Sequence, residues 1–180
     1  MTHESLTVLN GWRIAGWGSL LSLLLIPAFA MQVTSEVNWT GSDFVFAAML
    51  LIFLGGAMEF ALHGARSAPA RLGLALAGAT SFFTLWSNAA VGIIGAEDEP
   101  LNVGFFFLII AGIAGAALLR FRPAGLQKVT AVLAVSQLVM GTIATQVMPG
   151  HGFEWGILAV FAALWSAASW LFLKAARQAG

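Results

Sequence analysis

Six apolar runs, each of about 20 residues and separated by short polar segments, leave this chain few ways to fold. A helix rising 1.5 Å per residue needs roughly 20 apolar residues to cross about 30 Å of hydrocarbon. The runs at about 13–31, 43–64, 72–95, 101–120, 128–148 and 154–174 each approach or exceed that length. Lipid offers the backbone no hydrogen-bond partner, so a spanning segment must be a helix or part of a closed barrel. Runs this long are helices. Only 9% of residues are charged and 59% are hydrophobic, far from the balance of a soluble domain. The expected fold is therefore all-α: a polytopic membrane helix bundle of six transmembrane helices, with residues 1–180 forming a single transmembrane domain. The connections SEVNWTGS, HGARSAPAR, GAEDEP, RFRPAGLQK and MPGHGFE are too short to hold another domain.

The first run also fits a secretory signal, since Arg13 precedes an apolar core and Ala28-Phe29-Ala30 follows Pro27. Its length favours a retained helix kinked at Pro27. Cleavage near residue 30 would leave five spans.

Charge sets the orientation. The eight basic residues are Arg13, Arg66, Arg71, Arg120, Arg122, Lys128, Lys174 and Arg177, and with six spans all of them fall on one side. That side is cytoplasmic by the positive-inside rule, which puts both termini in the cytoplasm. Glu36, Asp43, Glu97, Asp98, Glu99 and Glu154 lie on the other side. Trp12, Trp17 and Trp170 fall near the inner boundary and Trp39 and Trp155 near the outer, as amphipathic rings prefer.

The outer acids Asp43, Glu97, Asp98, Glu99 and Glu154 have two explanations. Asp43, Glu99 and Glu154 stand where helices begin, and acidic first turns are favoured by the exposed amides and positive dipole end. Thr40 with Asp43 resembles a capping box, and Glu99 before Pro100 fits a helix start with proline first. Glu97 and Asp98 gain less from a helix end, and a cation, a basic partner or hydration would relieve their repulsion. His151 and Glu154 could join Glu97 and Asp98 around a divalent cation, although HGFE is no standard ligand spacing. No other cofactor is expected.

Within the spans, Glu59 stands out as an intramembrane acid, with His63 four residues on and on the same helical face. The pair reads either as a proton-exchanging site facing water or as a snorkelling acid held by neighbouring arginines. The third run adds Thr80, Ser81, Thr84, Ser87 and Asn88. Hydroxyls commonly bond the carbonyl a turn back, but an amide needs an interhelical partner, for which Gln137 and Gln146 of the fifth run are the candidates. Together these residues suggest a polar seam from Glu59 through Asn88 to Glu97. Small residues at Gly55-Gly56-Ala57, Ala111-Gly112, Gly115-Ala116 and Ala159, Ala163 and Ala167 predict close helix packing, within one chain, in a homo-oligomer or against another membrane protein. The Phe105-Phe106-Phe107 run reads as lipid-facing or packing bulk.

The segments NWTGSDF (38–44), AMEF around Glu59, LWSNAAVGIIGAEDEPLN (85–102) and RFRPAG (120–125) resemble a group of small bacterial integral membrane proteins. The resemblance covers roughly the second to fifth runs and implies no activity, cofactor or fold beyond that description. Comparable chains often carry Asn-Pro where Glu99-Pro100 stands here.

The absence of cysteine excludes disulfide and thiolate chemistry. Nucleotide loops, zinc-protease helices and hydrolase elbows are absent. His3, His63 and His151 are too dispersed for a two-histidine haem, no lysine lies within a span to hold retinal, and no basic face suits nucleic acid. The expected function is a small channel or transporter for protons or a small cation, with an acidic outer mouth. The alternatives are a non-transporting scaffold or accessory subunit of a membrane complex and, after that, an intramembrane enzyme or lipid-binding protein.

Overall fold

A computed structural model describes residues 11–149 and 154–179, the latter without the side chains of Glu154 and Ala179. The described residues form helices α1 (Gly11–Val33), α2 (Gly41–Gly64), α3 (Ala68–Ala90), α4 (Val103–Leu118), α5 (Pro123–Val147) and α6 (Glu154–Ala179), with a single 3-10 turn at Pro100–Asn102 before α4. There is no strand among them. Five stretches, Gly11–Val33, Gly41–Gly64, Pro100–Leu118, Pro123–Val147 and Trp155–Gln178, are long and apolar enough to cross a membrane. The protein is thus a helical chain with the composition of a multi-pass membrane protein. α3 falls outside that set, since it carries Arg71 and the polar residues from Thr80 to Asn88.

The chain divides into two compact units, with the boundary between Gly55 and Gly56 inside α2. The first contains α1 and the opening of α2. Thr40 and Asp43 form the expected cap: the Thr40 N–H and hydroxyl donate to Asp43 Oδ2 at 2.7 and 2.8 Å. These bonds occupy groups that a helix start otherwise leaves open. α1 continues through Pro27 and buries none of its side chains. It meets α2 at Gly55, where a Cβ would stand 2.6 Å from the Trp17 ring.

The second unit holds the end of α2 and helices α3 to α6. α6 contacts both α3 and α5 extensively, and its buried stripe runs Leu158, Phe161, Ala162, Trp165, Ala168, Phe172 and Ala175. Steps of three and four residues keep a stripe on one helical face. Gly73 of α3 receives Phe172, whose ring lies 2.8 Å from where a Cβ would be. The alanines Ala159, Ala163 and Ala167 face outward, so they do not serve the packing within one chain that their spacing allows. The bulkier residues choose the buried face. The small residues of α4 do pack, with Gly112 against Leu133 and Gly115 against Val129. Of the phenylalanine run, Phe105 is fully buried and Phe107 is 66% exposed.

α3 ends at Ala90, five residues short of the predicted boundary at 95. Gly92 and Gly95 have φ of +73° and +62°, a left-handed conformation that a helix cannot continue through and that glycine adopts without strain. The chain turns back, and Ile93 and Ile94 enter the core beside Phe105, Ala144, Leu158 and Phe161. Residues 91–99 form a loop at the end of the unit where α4 begins, called here the loop end.

At the opposite, basic end, Arg71 Nε donates to the Ala65 carbonyl at 3.2 Å across the turn between α2 and α3. α4 stops at Leu118, and Arg120 and Phe121 both take positive φ, 57° and 52°. Phe121 N–H donates to the Ala116 carbonyl at 2.9 Å, closing the helix end.

Candidate functional site

The loop end is organised by Asn102, a residue to which the sequence assigns no role. It is 2% exposed. Its Oδ1 accepts from the Ile93 and Ile94 N–H groups at 3.2 and 3.0 Å, and its Nδ2 donates to the Ile94 and Ala96 carbonyls at 3.0 and 2.8 Å. One amide side chain thus serves as backbone partner to a loop that has no regular structure to supply one. The Pro100 turn positions it, with Glu99 as the residue before the helical start, as predicted, though without a side-chain cap. The only sequence signal for Asn102 is an amide between Leu101 and Val103 just after a helix-starting proline.

Asn88 supports this clamp from α3. Its Nδ2 donates to the Asn102 carbonyl at 2.9 Å, so the partner predicted in Gln137 or Gln146 is instead a backbone oxygen one loop away. Gln146 is exposed. The hydroxyls of Thr80, Ser81 and Thr84 donate to carbonyls one turn back, at 2.7, 2.9 and 2.8 Å. These bonds satisfy them without any cargo.

Deeper in the unit lies a layer whose polar atoms are not satisfied by protein. Gln137 is fully buried, and neither its Nε2 nor its Oε1 has a partner; Asn88 Oδ1 and Trp165 Nε1 are likewise buried and unpartnered. Trp165 packs with Ile109, Leu133 and Ala134, and Leu85 lies against the same group. Gln137 stands one turn beyond Leu133 on α5, and Asn88 just under one turn beyond Leu85 on α3, both toward the loop end. Three helices thus contribute acceptors and donors to neighbouring levels, with the Ile93, Phe105 and Phe161 cluster on the loop side. An orphaned buried amide costs about 1–3 kcal/mol. Water or a small polar solute meeting two to four such atoms would remove that penalty.

Near the basic end, His63 Nδ1 is 3.3 Å from Glu59 Oε2, with Glu59 22% and His63 65% exposed. His63 Nδ1 is also 2.9 Å from the Glu59 carbonyl. The predicted i,i+4 pair therefore forms, at the edge of the bundle. Arg66, Arg120 and Arg122 line one cavity of about 690 Å³ at this end, so the arginines flanking α3 and α5 share a side.

The residues of the predicted seam stand at different levels of the unit. Glu97 and Asp98 are exposed and Glu99 is half-buried on the loop, Asn88 is engaged beneath them, and Glu59 lies toward the other end. His151 and the Glu154 side chain lie outside the described residues. Among the described residues no three histidine, cysteine or acidic side chains come together in a way that could hold a metal ion. Comparison with known proteins finds no matching family model, no similar curated protein and no similar solved structure.

Proposed function

We propose that the chain crosses a bacterial inner membrane six times with both termini cytoplasmic, and that its helix bundle relays protons. The topology is supported by the arginines preceding α3 and α5, which meet at one end while Glu97 and Asp98 stand at the other. α3 is the sixth crossing. Its 23 residues reach about 35 Å as a helix, and its polar side chains turn into the protein rather than toward lipid. Such a helix is tolerated because its neighbours supply the apolar surface.

The observation that carries the relay is Gln137, fully buried with an unpartnered amide. Together with Asn88 Oδ1 and the Trp165 N–H it offers both acceptors and donors. A bare metal cation takes acceptors only, whereas water passing a proton uses both. Glu59 and His63, within hydrogen-bonding range of each other at the basic end, are the titratable pair that would receive it. The acids of the loop would gather protons at the mouth.

The test is proton flux into liposomes carrying a pH-sensitive dye under an imposed potential. Gln137→Leu keeps the volume and removes the amide, so flux falls about tenfold, the equivalent of one lost hydrogen bond. Flux unchanged in Gln137→Leu and in Glu59→Gln removes the proposal.

A second reading, a non-transporting accessory subunit, is favoured by a different observation: the Thr80, Ser81 and Thr84 hydroxyls and the Asn88 Nδ2 all bond backbone carbonyls of the chain itself. Pull-down from native membranes separates the two, because an accessory subunit co-purifies with its complex and conducts nothing alone.

A further inference from the structure

The cavity at the basic end has features that neither the fold nor proton relay requires. Its rim carries three guanidinium groups, Arg66, Arg120 and Arg122, all on exposed residues, and among the described residues none of them is ion-paired. Its floor is apolar, with Ala65, Ala70, Leu126 and Ala175 all buried. α3 and α5 both begin here and direct their positive dipole ends to the same side. At about 690 Å³ the cavity is within the range of pockets that hold small organic ligands.

The turn that builds the rim is strained. Arg120 and Phe121 are consecutive non-glycine residues in the left-handed region, which L side chains disfavour. That conformation accompanies an edge-on contact of the Phe121 ring with Phe60, centroids 5.0 Å apart, and Arg120 and Arg122 line the same cavity. Strain held where unneutralised charge converges points to a site rather than to a connection.

We infer that this cavity binds a phosphate anion, and that its natural source is the headgroup of an anionic phospholipid. Guanidinium forks match phosphate oxygens in pairs, and an apolar floor beneath a cationic rim suits an amphiphile at the membrane boundary, where basic pockets between helices hold such headgroups. A free phosphate would use the same rim and leave the floor unused.

The full-length protein is purified in detergent, and the retention of phosphatidylglycerol against phosphatidylcholine is read by native mass spectrometry. Binding of inorganic phosphate is measured separately in phosphatidylcholine nanodiscs. Phosphatidylglycerol is retained in preference, and Arg66→Gln/Arg122→Gln lowers the preference on the order of tenfold. Lys174→Gln removes a charge that is stacked on Trp170, 3.5 Å from its ring, and leaves the preference intact. Helical circular dichroism establishes that each variant is folded. Phosphate binding that is lost in the same double variant supports the site with a soluble source. No preference in either arm, a preference that survives the double variant, or an equal loss in Lys174→Gln overturns it.

Discussion

Three buried amides on neighbouring levels illustrate how differently one chemical group can behave. Asn102 makes four side-chain bonds to the loop backbone, Asn88 makes one, and Gln137 makes none to protein. Replacing each with leucine should therefore have opposite consequences. Asn102→Leu leaves four backbone groups unpaired, three of them buried, and lowers stability by roughly 4 kcal/mol, at 1–3 kcal/mol for each buried group. Asn88→Leu removes the Nδ2 bond to the Asn102 carbonyl, which still accepts within α4, a loss of about 1 kcal/mol. Gln137→Leu removes an orphaned amide and raises stability by about 1 kcal/mol, the pattern expected where stability is given up for function. Thermal melts in detergent rank the three. A lower midpoint for Gln137→Leu would show that its amide is satisfied in a way the protein atoms do not reveal. None of this order is readable from the sequence, where all three are amides within or beside apolar runs and nothing indicates which backbone groups will lack partners.

At the scale of elements, the loop 91–99 departs most from expectation, and the reason lies in Ile93 and Ile94. An apolar pair at the end of an apolar helix fits one more turn as well as it fits a buried loop, so hydropathy does not separate the two. Gly92 separates them. Beyond its φ, a Cβ there would stand 2.6 Å from the Ala96 carbonyl oxygen and 2.9 Å from Asn102 Nδ2, neither of which can move without breaking the clamp. Gly95 faces the flexible end of Met148, at 3.1 Å. Gly92→Ala should cost on the order of 2 kcal/mol and Gly95→Ala about 1, the ordinary left-handed penalty. A glutamate-specific protease reports the difference, cutting after exposed Glu97 faster in Gly92→Ala than in Gly95→Ala; equal rates would mean that the clamp does not hold the loop. The turn at Arg120 and Phe121 supplies the converse case. Arg120→Asn suits the left-handed region better, so it should raise stability by about 1 kcal/mol, read as a higher melting midpoint, while weakening phosphate retention. Loss of retention with no gain in stability would remove the argument from strain.

For the molecule as a whole, the readable features were those the bilayer imposes. The apolar runs and the polar breaks between them are legible by length and composition, so the positions of the six helices follow from residues alone, and Arg66 and Arg122, expected on one side, line one cavity. Packing inside the bundle follows from shape, which sequence carries weakly: the outward Ala159, Ala163 and Ala167 have the same spacing as a packing face, but Phe161, Trp165 and Phe172 take the side of α6 that is buried within the chain. α3 matters most to the proposed topology, since its polarity takes it below the apolarity of the other five helices while its ends carry Arg66 and the Glu97 loop at opposite ends of the second unit. Without α3 as a crossing, the turn at Arg66 and the loop at Glu97 would face the same compartment. The chain has no cysteine, so single introduced thiols report their side without background. Ala96→Cys and Ala124→Cys lie at opposite ends of the second unit, both exposed. In intact spheroplasts a membrane-impermeant maleimide should label Ala96→Cys and reach Ala124→Cys only after permeabilisation. Equal labelling of both from outside would make α3 a helix that does not span, and with it would go the cytoplasmic assignment of the arginine cavity.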